Sequence, residues 1–176
     1  TGGFEAVLWD VDDTAIEKAV AAVTKTFAYF IEKKKLARSD LDGMMHDRLK
    51  TTTALEDAKD ADLVIEAVLE DMEVKQDIFK KLEGLCRPEA VFATNTSALP
   101  ITEMASILAD PGRMIGLHFF NPAHRMQLLE IICAEKTSDR TLATGVSFAR
   151  KIKKIPIVVN DGPGFYVSRQ LGGLFG

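Results

Sequence analysis

Three side chains able to move a proton between them sit in three successive apolar stretches of this 176-residue chain. Ser97 closes "VFATNTS", His118 lies within "MIGLHFF", and Glu130 interrupts "LLEIICA". A hydroxyl, an imidazole and a carboxylate are the raw material of general acid–base chemistry. Each also has a plain structural explanation: Ser97 as a cap for the helix after Pro100, His118 as a packed ring beside "FF". Glu130 is the most telling of the three, because a carboxylate inside an apolar strand is costly unless it is partnered. An imidazole that becomes cationic is a natural mate for it. Taken together they suggest a His–Glu base pair with a hydroxyl donor alongside. Other polar residues follow the apolar stretches: Glu70 and, one helical turn on, Lys75 after "DLVIEAV"; Thr94, Asn95 and Thr96 after "VFA"; Asn121 after "HFF".

A second acidic group stands near the start. "FEAVLWDVDDTAIEKAV" reads as a buried strand that ends on Asp10 and turns into a helix. Two chemistries share this pattern. A haloacid dehalogenase-like phosphatase would use Asp10 as nucleophile, Asp12 as acid–base and Thr14 beside them. A dinucleotide-binding fold would use Asp10 alone, gripping the adenosine ribose. The phosphatase also needs a lysine, for which Lys153 or Lys154 would serve, and a late acidic pair for magnesium; only Asp161 stands there. Thr14-x-x-Glu17 fits a helix capping box without any catalysis.

The elements that must position these residues alternate. Strands are expected at "FEAVLWDV", "LKTTT", "DLVIEAV", "VFAT", "MIGLHFF", "LLEIICA" and "IPIVV". Helical spacing runs over residues 14–35, where Ile16, Val20, Val23, Phe27, Phe30 and Ile31 recur. A short helix follows Ser39, and "MEVKQDIFKKLEGL" places Val74, Phe79, Leu82 and Leu85 on one side. "ITEMASIL" is a short helix, Ser138 caps another through about residue 151, and "GPGFYVSRQLGGLFG" opens a last one. Such alternation implies an α/β fold with a mainly parallel sheet covered on both faces. Ligands then bind beyond the carboxyl ends of the strands, where the polar residues above fall.

Composition sets the outer limits. An apolar fraction of 47% suffices for a core, and a formal charge of -4 speaks against a nucleic-acid partner. Cys86 and Cys133 are too few for a disulfide framework or a metal cage, so no metal is expected and a reducing compartment is the default. No apolar run has the length of a membrane span.

Four blocks, "DLVIEAVLEDMEVKQDIFKKL", "FATNTSALPIT", "GLHFFNPAHRMQLLEII" and "VVNDGPGFYVSR", in this order, resemble the NAD-binding domain of L-3-hydroxyacyl-CoA dehydrogenases. The likeness is closest to the forms within multifunctional fatty-acid oxidation proteins and spans essentially the whole chain. It implies a Rossmann-like doubly wound domain over residues 1–176 that uses NAD in fatty-acid β-oxidation. It further implies that His118 is the general base toward the substrate 3-hydroxyl, that Glu130 orients it, and that Ser97 hydrogen-bonds the reacting oxygen. Asn121 would contact the nicotinamide end, Glu70 and Lys75 the ribose and phosphate region, and Asp10 the adenosine ribose. Thr26 and Lys33 would contact coenzyme A, although a solvated helix end explains them as well.

Two departures from the family stand out. Ser168 occupies a place where the family usually carries Asn near the reacting end of the substrate, and reads as a weak substitute or else as an ordinary helix residue. The family's first strand and Gly-x-Gly-x-x-Gly turn are not in this sequence, nor is the helical domain that follows. The expectation is therefore a piece of a longer enzyme, split into two half-sheets with exposed edges and lacking dehydrogenase activity by itself. A non-catalytic assembly module is the remaining alternative. The implied partners are an acyl-CoA substrate and either further copies of the chain or the rest of a multifunctional protein. The expected compartment is the cytoplasm in a bacterium, or otherwise a mitochondrion or peroxisome.

Overall fold

The computed structural model describes residues 2–33 and 37–165. Ser168 and the expected last helix lie outside the described residues, apart from the turn at Gly162–Phe165. The chain forms two compact units, Gly3–Lys59 and the residues from Asp60 onward.

In the first unit, strand β1 (Ala6–Trp9) leads through an acidic turn into helix α1 (Asp13–Glu32). The cap is Asp12, whose side chain accepts a hydrogen bond from the Thr14 amide. This corrects the capping box expected at Thr14: an Asp two residues upstream reaches the orphan amide first. Helix α2 (Arg38–Asp47) follows, and strand β2 (Leu49–Thr52) returns to pair in parallel with β1.

The second unit alternates strand and helix: β3 (Leu63–Glu66), α3 (Met72–Leu85), β4 (Val91–Thr94), α4 (Ile101–Ala105), β5 (Met114–Phe119), β6 (Leu128–Cys133), α5 (Asp139–Lys151) and β7 (Ile155–Asn160). Its strands lie in the order β3-β4-β5-β6-β7. Every neighbouring pair is parallel except β5 with β6, which is antiparallel. Two separate sheets thus form among the described residues, one of two strands and one of five. The expected mainly parallel α/β architecture is present, and so is the division into two sheets.

Side chains alternate across a strand, so each strand feeds both faces of the sheet. On one face Val91, Ala93, Ile115, Leu117, Leu129 and Ile131 form a core closed by Ala149, Leu142, Val146 and Phe148 of α5. Each such fully buried branched or aromatic side chain contributes about 1.5–3 kcal/mol. The in-between residues point to the other face, where Phe92 meets Phe79 of α3 at 5.9 Å between ring centroids. On this second face Glu66, Thr94, Gly116, His118, Glu130 and Ile132 share the even positions of their strands. Gly116 has no room for a side chain: a Cβ there would sit 2.9 Å from Ile132 and 3.3 Å from Ile101.

Helix α3 packs Phe79 and Leu82 inward as expected, but not Val74. Its inner side is Lys75, Ile78, Phe79 and Leu82, while Val74 is 41% exposed. The lysine goes in because acidic and carbonyl oxygens await it.

Candidate active site

His118 and Glu130 are register partners across the antiparallel β5–β6 pair. His118 Nδ1 lies 2.7 Å from Glu130 Oε2, and both residues are buried. An ionised carboxylate can only accept, so Nδ1 carries the proton and the Nε2 lone pair is left as the basic site. The ring is flanked by Phe120 and Phe165, with centroids 4.8 Å and 5.7 Å away. Phe165 is buried and adopts a left-handed backbone, φ 49°, just after Gly164 at φ 70°.

The strand that carries His118 is tied to the loop carrying Ser97. Asn95 Oδ1 accepts the Phe119 amide at 2.9 Å, one residue beyond the histidine. Ser97 is exposed in the same loop, after β4, at the carboxyl end of the strand next to β5. It does not cap α4, whose N-cap is Pro100 with no side-chain bond. Asn121 is exposed as well, and its bond to Pro122 is cis. Lys154 holds the following loop by donating to the carbonyls of Ala123 and Met126. Burial draws the Lys154 ammonium below its ordinary pKa.

A second cluster stands at the end of β3. Lys75 is 1% exposed, and its ammonium faces Glu66 Oε1 at 2.6 Å, the Val68 carbonyl at 3.1 Å and Glu70 Oε2 at 3.2 Å. Three acceptors match its three protons. Glu70, with a side chain 48% exposed, accepts the Thr96 hydroxyl and, at 3.1 Å, the Ser97 amide. Partial burial pushes the Glu70 carboxyl up. The Thr96 hydroxyl, the Ser97 amide and Lys75 together outweigh it, so the net shift is downward. Glu66 and Asn95 received no role from the sequence. Glu66 had a visible signal, since it breaks an apolar strand just as Glu130 does.

On the first unit, Asp10 follows β1 and its Oδ1 accepts the Asp12 amide at 3.1 Å. The Thr26 hydroxyl donates to the Ala22 carbonyl at 2.9 Å, and Lys33, the C-cap of α1, stands 5.8 Å from the Tyr29 ring centroid. Thr26 and Lys33 are two helical turns apart and so share a face of α1. The residues proposed for a phosphatase are otherwise engaged: Asp12 caps α1 and Lys154 clamps a loop.

A mainly parallel α/β sheet with polar residues gathered beyond the carboxyl ends of its strands is the architecture of a dinucleotide-binding, Rossmann-like domain. The sequence profile of the family described as "3-hydroxyacyl-CoA dehydrogenase, NAD binding domain" matches residues 1–162. The chain belongs to that family.

Among curated relatives, the fatty acid oxidation complex subunit alpha of Psychrobacter sp. (strain PRwf-1) is 38% identical over 174 residues, covering 99% of this chain and 24% of that protein. Its counterpart from Shewanella loihica is 42% identical over 162 residues, covering 92% and 23%. The chain thus spans about a quarter of these relatives' length. Among solved structures, the (S)-3-hydroxybutyryl-CoA dehydrogenase of Ralstonia eutropha superposes with a TM-score of 0.95 at 36% identity, covering 98% of this chain and 61% of that one. The 3-hydroxybutyryl-CoA dehydrogenase of Escherichia coli gives 0.91 at 31% identity, covering 94% and 35%. The cofactor of the family is NAD. Within the second unit the chemistry fits it: Glu70, half-exposed after β3, offers a carboxylate acceptor of the kind a ribose hydroxyl needs.

Proposed function

We propose that this chain serves the oxidation of L-3-hydroxyacyl-CoA to 3-ketoacyl-CoA in fatty-acid β-oxidation. The observation that carries the reading is the 2.7 Å contact between His118 Nδ1 and Glu130 Oε2, both buried, with aromatic rings beside the imidazole. NAD, when bound, supplies the acceptor for the hydride from C3. The chain's own residues handle the proton. His118 Nε2 takes it from the 3-hydroxyl as the C–O bond gains double-bond character, and Glu130 stabilises the imidazolium that results. Ser97 donates to the reacting oxygen and Asn121 orients the nicotinamide end. Ser168 is assigned to the substrate's reacting end, and Thr26 with Lys33 to coenzyme A.

Glu70 binds ribose hydroxyls, and Lys75 supports the same region from beneath. Asp10 takes the adenosine ribose and repels the extra phosphate of NADP. The relatives' names support membership of a larger fatty-acid oxidation assembly, with other copies or the rest of a multifunctional chain as partner. A sequence with only two cysteines suits a reducing compartment, the cytoplasm for a bacterial source or otherwise a mitochondrion or peroxisome.

Titration with NADH, followed through the fluorescence of Trp9 beside Asp10, tests cofactor binding. Saturation that weakens in Asp10→Asn supports the reading. NAD-dependent formation of 3-ketoacyl-CoA by this domain set within a full-length relative tests the chemistry, and turnover in His118→Gln equal to that of the unmodified protein would overturn it.

A further inference from the structure

Glu66 is a carboxylate on the buried face of the five-stranded sheet, with its side chain 2% exposed. Its two oxygens are divided. Oε2 accepts the Thr94 hydroxyl at 2.7 Å, and Thr94 Oγ1 in turn accepts the Thr96 amide at 3.2 Å. Oε1 accepts the Lys75 ammonium at 2.6 Å. That same ammonium reaches Glu70 Oε2 only at 3.2 Å, and among the described residues both glutamates have Lys75 as their ion-pair partner. One positive charge therefore serves two carboxylates, and the shorter contact goes to the residue that no ligand can touch.

A buried ammonium must be held by an acid, because desolvation is otherwise too costly. With Glu66 in that role, Lys75 stays under the loop instead of turning outward. Glu70, the half-exposed partner, then keeps most of its negative charge while its position is fixed by Thr96, Ser97 and Lys75.

We propose that Glu66 is a positioning residue that captures the Lys75 ammonium and so leaves Glu70 a fixed, net-negative acceptor for a ligand group that is both hydroxylated and cationic. Resting on the dinucleotide reading above, that group is the ribosyl–nicotinamide end in its oxidised, positively charged form. The neutral reduced ring gains nothing from the surplus charge, so the arrangement discriminates between the two redox states of one cofactor.

The experiment compares the unmodified chain with Glu66→Gln and Glu66→Asp. Gln keeps the shape and an acceptor for Lys75 but removes the charge and turns the oxygen facing Thr94 into a donor, and Asp restores the charge and both acceptors on a shorter arm. The dissociation constants for NAD+ and NADH are measured separately, and the Glu70 carboxyl is titrated by carbon-13 NMR. Glu66→Gln is expected to weaken NAD+ about fivefold while changing NADH less than about twofold. The Glu70 midpoint should fall further, because the whole ammonium turns to it, and Glu66→Asp should reverse both effects. Equal weakening of the two forms, or an unmoved or raised Glu70 midpoint, overturns the proposal. Should the unmodified chain bind neither form, the dinucleotide reading fails, and the Glu70 midpoint alone decides the role of Glu66.

Discussion

Glu130 faces His118 across a single rung of the one antiparallel strand pair in the five-stranded sheet, carboxylate to imidazole at 2.7 Å. The pair is held by main-chain register as well as by its own hydrogen bond, and the aromatic rings of Phe120 and Phe165 shield it.

Glu130→Gln keeps the volume but removes the charge that stabilises the imidazolium and allows the opposite ring tautomer. The expected result is a fall in kcat of about 10²–10⁴-fold with little change in KM. Steady-state kinetics on a 3-hydroxyacyl-CoA, with this domain set within a full-length relative, measures this, and circular dichroism checks that the fold is kept.

Lys75→Met leaves Glu66 and Glu70 without their shared cation. Removing one member of a buried ionic cluster costs about 3–5 kcal/mol. Urea unfolding should report a loss of this order near neutral pH. The deficit should shrink in acid, where a proton on either carboxylate relieves their repulsion.

Glu70 gives a pH dependence of definite sign. Burial raises its pKa, but the Thr96 hydroxyl, the Ser97 amide and Lys75 together outweigh it, so the folded value lies below that of an ordinary glutamate. A group depressed by folding adds stability above its unfolded pKa and loses it as pH falls through the folded one. Thr96→Val should therefore destabilise the protein at neutral pH, by about 1 kcal/mol. It should also move the Glu70 midpoint upward, as read by NMR, and flatten the loss of stability in acid.

Asn95→Ala removes the acceptor for the Phe119 amide, next to His118. An unsatisfied, partly buried amide costs about 1–3 kcal/mol. Turnover should drop alongside stability, because the strand end carrying the base loses its tie to the Ser97 loop. Asn95→Asp retains an acceptor and should recover most of the stability in denaturant titrations.

Most of the framework was legible because apolar periodicity was strong: α3 and β6 fell where the spacing put them. Glu130 announced itself by interrupting "LLEII", and the same rule applied to "DLVIEAV" would have found Glu66. Val74 was misplaced in α3 because it was counted as inward on hydrophobicity alone. Counting back from Leu82, Phe79 and Ile78 lands on Lys75. The antiparallel turn to β6 also had a signal, since residues 120–127 are too short for a parallel crossover of about a dozen residues. Phe165 had none: its place beside His118 depends on a left-handed backbone angle that a phenylalanine rarely adopts.

The rung joining β5 to β6 carries one more implication. Alternation along a strand means that sliding β6 by a single position would swing Glu130 into the α5 core and bring an aliphatic neighbour to the imidazole. Proton-accepting competence is thus acquired when that hairpin zips in the right alignment, and it has no separate assembly step. Lengthening the hairpin's tip is tolerable so long as the zipper keeps its teeth matched, whereas an insertion within either strand would silence the base even in a protein that still folds.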